Sequence, residues 1–249
     1  MTWGNANLVA PVLDLFRAPI DNDRASSLAR NTIGDAALAA GLDRLVHTTT
    51  SVRDEGDELV VVTRSAAAAA RNSMTTTWSW RAIQTNDGSE GVHLDLHVDP
   101  HGYWPTMLGR IGVTIGLPAE WTTVSWFGLG PTENYPDSQH AAIWGRWDCD
   151  VVDLQTPYVM PQENGLRQGI HELTNRRFER WYADHRGWQL AGIRDPAMDF
   201  TSLNECCPHL GTGTRWARLA YLGRHLGSAG IDILRPDADH VSPAVCPTG

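Results

Sequence analysis

The chain has 249 residues, 42% hydrophobic and 20% charged, enough for one large all-β domain or two small ones with an ordinary core. Its formal net charge of −9 and pI of about 5.5 exclude the basic face a nucleic-acid binder needs, and every basic residue is arginine. Cys149, Cys206, Cys207 and Cys246 show neither a disulfide-scaffold nor a metal-ligand spacing, the N-terminus lacks a basic stretch followed by an apolar run, and no apolar run reaches membrane-spanning length. The expectation is a cytoplasmic protein with no membrane partner.

Residues 1–16 are weakly patterned. Arg17-Ala18-Pro19-Ile20-Asp21-Asn22-Asp23 follows, a polar turn in which Asp21 and Asp23 flank Asn22. Two carboxylates around an amide suit a hard cation, but an Asx turn bonding its own backbone is the favoured reading. Asp35–Leu45 is the best helix candidate, with Asp35 as N-cap and Gly41 interrupting it.

From residue 46 the periodicity becomes two. Strands are predicted over 58–64, 74–83 and 92–99, with Trp78 and Trp80 on one face, and Ala66–Ala70 forms a strand end or turn. Val92, Leu94, Leu96 and Val98 face one way; His93, Asp95, His97 and Asp99 face the other. His93 and His97 on a strand lie about 13 Å apart, at ~3.3 Å per residue, too far for one metal ion. Further strands are predicted over 107–116, 121–127, 142–147, 188–194, 197–203 and 215–222. Many short strands and one short helix imply an antiparallel sandwich or barrel, without the alternating helices of a (β/α)8 barrel.

Two loops repeat a Pro-x-Glu-Asn core: Trp126-Phe-Gly-Leu-Gly-Pro-Thr-Glu133-Asn134-Tyr-Pro-Asp137 and Thr156-Pro-Tyr-Val-Met-Pro-Gln-Glu163-Asn164-Gly165-Leu-Arg167. Pro157 and Pro161 suit neither a helix interior nor a central strand, and Gly165 permits a sharp reversal. Such a loop is expected to point Glu163, Asn164 and Arg167 outward. Glu133 and Glu163 are the sharpest acid pair, and glycosidases use two carboxylates flanking the scissile bond. The favoured alternative is that each anchors its own loop by accepting backbone N–H bonds. His140, His171, His185 and His209 are scattered; a histidine with a glutamate across a cleft offers acid–base chemistry on a sugar ring. No phosphate-binding loop, nucleophile elbow or zinc-ligand cluster is present.

Taken together, the stretches 17–23, 126–137 and 156–167 resemble, in order and spacing, the C-terminal small-chain domain of family-2 β-galactosidases, over about Phe16 to Gly230. The resemblance implies a large antiparallel two-sheet supersandwich of the galactose-mutarotase type. It implies one domain over residues 1–249, shortened at both ends relative to the family. It also implies that the catalytic glutamates lie on a barrel domain outside this chain, so that no residue here is catalytic. In that family the loop following the first motif, here about 24–33, and a late tryptophan line the mouth of the active site. The ungapped counterpart of that tryptophan is Leu234, which offers apolar contact but no flat ring. The substrate-proximal candidates are therefore Asp21, Asn22, Asp23 and Leu234, and the loop candidates are Glu133, Asn134, Glu163, Asn164 and Arg167. Ser138 stands where the family usually has arginine.

No metal or other cofactor is expected. The expected partners are a galactoside, met only within a larger enzyme, and a barrel-containing chain or a second copy. The leading function is a β-galactosidase module inactive alone. A stand-alone sugar epimerase of mutarotase type, and a carbohydrate-binding module, are the alternatives.

Overall fold

A computed structural model describes residues 2–3, 6–7, 9–24, 33–68, 71–84, 88, 90–104, 108–118, 122–159, 162–175, 179–183, 188–194, 214–220 and 228–234. Among the described residues sixteen strands run in chain order: β1 Thr2–Trp3, β2 Ala6–Asn7, β3 Val9–Asp14, β4 Val46–Asp54, β5 Glu58–Ala66, β6 Ser73–Gln84, β7 Glu90–His101 and β8 Gly112–Pro118, then β9 Thr123–Gly130, β10 Ile143–Asp150, β11 Arg167–Ile170, β12 Glu172–Asn175, β13 Glu179–Ala183, β14 Trp188–Arg194, β15 Thr214–Ala220 and β16 Ser228–Leu234. A nine-stranded sheet has the order β10-β9-β12-β13-β16-β7-β6-β5-β4, and a five-stranded sheet the order β11-β14-β15-β8-β3. The described pairings are antiparallel throughout.

The two sheets share a core. Leu13 of β3 and the adjacent Leu15 pack with Met74 of β6 and Val98 of β7, flanked by Leu45, Trp104, Leu108 and Ile111. The predicted alternation holds on β7, whose Leu94, Leu96 and Val98 are buried, and on β6, where Met74, Thr76 and Trp78 are buried. The opposite face of β7 is ionic: Arg81 pairs with Asp95 at 2.5 Å, His93 lies 3.1 Å from Asp95, and His97 lies 3.1 Å from Asp99. Both histidines thus face a neighbouring carboxylate.

Several boundaries differ from expectation. The helix spans Ile33–Ala39, so Asp35 sits in its first turn rather than capping it. Gly41, at φ 71, ends it and leads into a 3-10 turn over Leu42–Arg44. A single helical turn, Asp21–Arg24, stands where the sequence suggested a plain turn. The strand expected over 107–116 begins only at Gly112, and Arg110, just before it, is buried. The strand expected over 197–203 lies outside the described residues. No described helix is long and apolar enough to cross a membrane.

Candidate functional site

The three motifs meet. Glu133 and Asn134 follow β9, Glu163 and Asn164 precede β11, and the segment 16–20 follows β3. The chain thus brings positions more than a hundred residues apart to one end of the sandwich.

In the first motif Arg17 grips Asp23 in a bidentate pair, Nη1 to Oδ2 at 2.6 Å and Nη2 to Oδ1 at 3.0 Å. Asp23 Oδ2 also accepts the Ile20 N–H at 2.9 Å. Both oxygens of Asp23 are therefore engaged by a guanidinium and the local backbone, as in the turn reading. Asn22 is exposed beside it, and Asp21 opens the helical turn. Among the described residues no group of three or more His, Cys, Asp or Glu side chains is placed to hold a metal ion.

The Pro-x-Glu-Asn echo is structural as well as textual. Asn134 Nδ2 donates to the Thr132 carbonyl at 3.2 Å, and Asn164 Nδ2 donates to the Gln162 carbonyl at 3.1 Å, two residues back in each case. Each amide oxygen then takes a backbone N–H from elsewhere: Gln168 at 2.8 Å for Asn134, Thr156 at 3.2 Å for Asn164. The Asn134 backbone is also tied into β11 territory, its N–H donating to the Leu166 carbonyl at 2.8 Å and its carbonyl accepting from Gln168 Nε2 at 2.5 Å. A backbone bond and several side-chain bonds thus tie the paired loops together, which satisfies polar groups that burial would otherwise strand.

The glutamates do not anchor their own loops, as the sequence suggested; each anchors a different segment. Glu133 Oε2 accepts the Gly165 N–H of the other loop at 2.8 Å, and its Oε1 accepts the Tyr158 hydroxyl. Glu163 Oε2 accepts the Ala18 N–H at 3.0 Å, and its Oε1 accepts Arg110 Nη2 at 2.5 Å. Arg110 in turn donates to the Phe16 carbonyl at 3.1 Å and lies 3.6 Å from Asp14. Glu163, Asn164 and Arg167 also point inward rather than outward: Glu163 is only 3% exposed, and the other two are buried. Buried charge persists only where its partners are fixed, and here the Ala18 N–H and the Arg110 guanidinium hold Glu163.

Arg167 completes the cluster. Its Nη1 donates to the Leu154 carbonyl at 2.6 Å and the Gly165 carbonyl at 2.9 Å, and its Nη2 to the Pro131 carbonyl at 3.2 Å. Its guanidinium carbon lies 5.7 Å from the centroid of the buried Trp126 ring, a cation–π contact. Gly165 has φ 81, and a Cβ there would meet the Leu154 carbonyl at 2.8 Å, so the reversal expected at this glycine is required by space as well as by backbone angle.

Tyr135 packs on Leu166. Burial pushes its hydroxyl well above the usual phenol range, reinforced by the charges of Glu163 and Glu133 and opposed by Arg110. Both acids therefore act on one tyrosine. Ser138 closes the turn that follows: its hydroxyl accepts the Tyr135 N–H at 3.2 Å, and its own N–H donates to the Tyr135 carbonyl at 2.9 Å.

Leu234 closes β16 in the nine-stranded sheet, with its backbone opposite Gly91 and Arg180. Residues 25–32, most of the loop expected at a sugar site, lie outside the described residues, as do His185, His209, Cys206, Cys207 and Cys246. His140 is exposed on a 3-10 turn, and Cys149 is buried. The sequence reading missed Arg110, Tyr135, Tyr158 and Gln168. Tyr135 and Tyr158 lie inside the second and third motifs and Gln168 directly beyond the third, a signal of position alone; Arg110 sits in a stretch that reads as a strand, where nothing marks its charge as buried.

Residues 1–204 match the family described as "Beta galactosidase small chain". Similar proteins include a "Beta-galactosidase" of Arthrobacter sp. (strain B7), 32% identical over 188 residues, covering 68% of this chain and 18% of the relative. Another is a "Beta-galactosidase" of Oenococcus oeni (strain ATCC BAA-331 / PSU-1), 34% identical over 176 residues, covering 68% of this chain and 17% of the relative. A third, from Vibrio cholerae serotype O1 (strain ATCC 39541 / Classical Ogawa 395 / O395), is 35% identical over 188 residues, covering 69% of this chain and 17% of that "Beta-galactosidase". The chain matches less than a fifth of the length of these relatives.

Proposed function

From the premise that the chain belongs to the β-galactosidase small-chain family, we propose that it is the β-sandwich module of a β-galactosidase of the family-2 type, hydrolysing terminal β-D-galactosides only together with a barrel that carries the catalytic acids. The module shapes the mouth of the active site, with Asp21, Asn22, Asp23 and the 24–33 segment on the substrate side and Leu234 in the place of the family's tryptophan.

One observation carries this reading. Both oxygens of Glu133 and both oxygens of Glu163 accept bonds from other segments of the sandwich. A glycosidase acid must be able to hold and release a proton at the leaving-group oxygen, and its partner must reach the anomeric carbon or a water. Carboxylates engaged by a buried arginine and by backbone N–H groups are poorly suited to either role. Their better-supported work is to set the relative positions of the three motif loops, so that whatever surface they present keeps one shape. Positioning of this kind matters for catalysis because small displacements of substrate-contacting groups cost large factors in rate.

The test is turnover of a chromogenic β-galactoside by the isolated chain, followed by turnover after mixing with a barrel-containing chain of the same family. The expected result is none alone and activity on mixing. Turnover by the chain alone, lost in Glu163→Gln, would overturn the reading; faster anomeric interconversion of galactose by polarimetry would replace it with the epimerase alternative.

A further inference from the structure

A second aromatic group lies on the other side of β9. Trp126 and Phe127 are neighbours on a strand, so their side chains leave on opposite faces. Trp126 is buried against Arg167, whereas Phe127 emerges on the outer face of the nine-stranded sheet. The register then fixes its neighbours: Phe127 stands opposite Arg146 of β10 on one side and Glu172 of β12 on the other. Trp144, two residues before Arg146, shares that face. His171 precedes β12 and is held by its N–H to the Phe127 carbonyl at 2.9 Å.

These rings form one cluster at the surface of the sheet. Trp144 and His171 have centroids 5.3 Å apart, Phe127 and Trp144 6.1 Å, and Phe127 and His171 6.4 Å, with planes tilted by 45° to 51°. Trp144 is 55% exposed, yet it is seated: Gly169 lies against it at φ 63, and a Cβ there would meet the indole at 2.9 Å. The rim is charged and paired. Arg146 Nη2 lies 2.8 Å from Glu172 Oε2, and the guanidinium carbon lies 5.3 Å from the Phe127 centroid.

The extent of the cluster decides what it fits. A stable protein interface takes about 800 Å² and 20–30 residues from each partner. Here the next row of the same face is Asp148, Ser125 and Thr174, all polar. Among the described residues the apolar surface therefore stops in that direction after one cluster of rings. A small ligand with one apolar face and hydroxyls at its edge matches both the rings and the rim: C–H groups lie on the indole, while the guanidinium donates to and the carboxylate accepts from hydroxyls.

We propose that the Phe127–Trp144–His171 cluster, with the Arg146–Glu172 pair at its rim, is a carbohydrate-binding site that stacks one pyranose ring on the exposed Trp144. The site does not depend on the β-galactosidase reading, since it needs no barrel and no turnover.

The experiment is ¹⁹F NMR of the full chain labelled with 5-fluorotryptophan, with the Trp144 resonance identified by its loss in Trp144→Ala. The probes are lactose and cellobiose, each raised to about 100 mM, well above the millimolar Kd that a single stacked ring supports. The Trp144 resonance is expected to move saturably. Binding, followed by calorimetry, is expected to weaken about tenfold in Trp144→Ala and about threefold in the exposed-side-chain variant Arg146→Ala, with near-UV circular dichroism confirming that both variants are folded. A Trp144 resonance that stays still, binding equal to the unaltered chain in both variants, or a Trp144 shift that follows protein concentration without sugar would each overturn the proposal, the last in favour of a protein contact.

Discussion

The β6–β7 hairpin and the three-loop cluster are held together by different physics. The hairpin is an uninterrupted antiparallel ladder from Ser73↔His101 to Gln84↔Glu90, with apolar residues on the core face and charges on the other. Its ion pairs lie in water; the side chains of Arg81 and Asp95 are 47% and 39% exposed. The cluster has little ladder of its own. Its segments are joined by Glu133, Glu163, Asn134, Arg110 and Arg167, which are buried or half-buried and bonded to backbone. The same residue types thus decorate one region and build the other. What separates the two roles is whether water or protein satisfies the polar atoms.

The sharpest way to break this contrast is Glu163→Ala. It leaves the Arg110 guanidinium, 5% exposed, with the Phe16 carbonyl and the more distant Asp14 carboxylate, and it frees the Ala18 N–H. Removing one partner of a buried pair costs about 3–5 kcal/mol. The measurement is the shift of the denaturant midpoint at constant slope. Glu163→Gln keeps an acceptor for Ala18 and should recover part of the loss. A cost below about 1 kcal/mol, the range of surface pairs, would mean that the cluster is no more dependent on its charges than the hairpin is.

The complementary test is Arg81→Ala on the hairpin. Asp95 keeps His93 as a neighbour at 3.1 Å, and the pair is open to solvent. The expected cost is under about 1 kcal/mol, falling further as salt is added. A loss comparable with that of Glu163→Ala would erase the distinction between the regions.

The same division governs what could be read beforehand. Val92, Leu94, Leu96 and Val98 announce a strand because strand periodicity is local, and both Trp78 and Trp80 fell where period two puts them. β3 escaped because Pro11 breaks its pattern. The proline is tolerated at the sheet edge, where the β3–β8 register also shifts between Val9 and Val12. β11 and β12 are four residues each, too short for a period, and β11 carries the buried polar pair Arg167 and Gln168, which reads as loop. In the cluster, the residue types and the repeated core were legible. The partners were not, because Glu163 reaches Ala18 across 145 positions and Arg110 across 53. Composition and spacing give no information on which distant N–H a carboxylate will meet, so the sequence favoured anchoring over chemistry for both acids but assigned each to its own loop rather than to a different segment.

The smallest effect belongs to Tyr158, where the cluster meets solvent. Its hydroxyl donates to Glu133, and that bond, followed by partial burial and the Glu133 charge, raises its ionisation from the ordinary 10.0 to about 12. The direction of the stability change follows from linkage. Below pH 10 the tyrosine is protonated in folded and unfolded chains alike, and the bond contributes fully. Between pH 10 and about 12 the unfolded chain releases the proton while the folded chain retains it, so the contribution declines; above that it is gone. Tyr158→Phe should therefore flatten the fall of stability across this window and leave the profile below pH 9 parallel to that of the unaltered chain. In an ultraviolet titration the variant should lose a phenolate transition near 12, not one near 10. If the transition that disappears lies near 10, the tyrosine is free in water, and Glu133 holds the second loop through the Gly165 N–H alone.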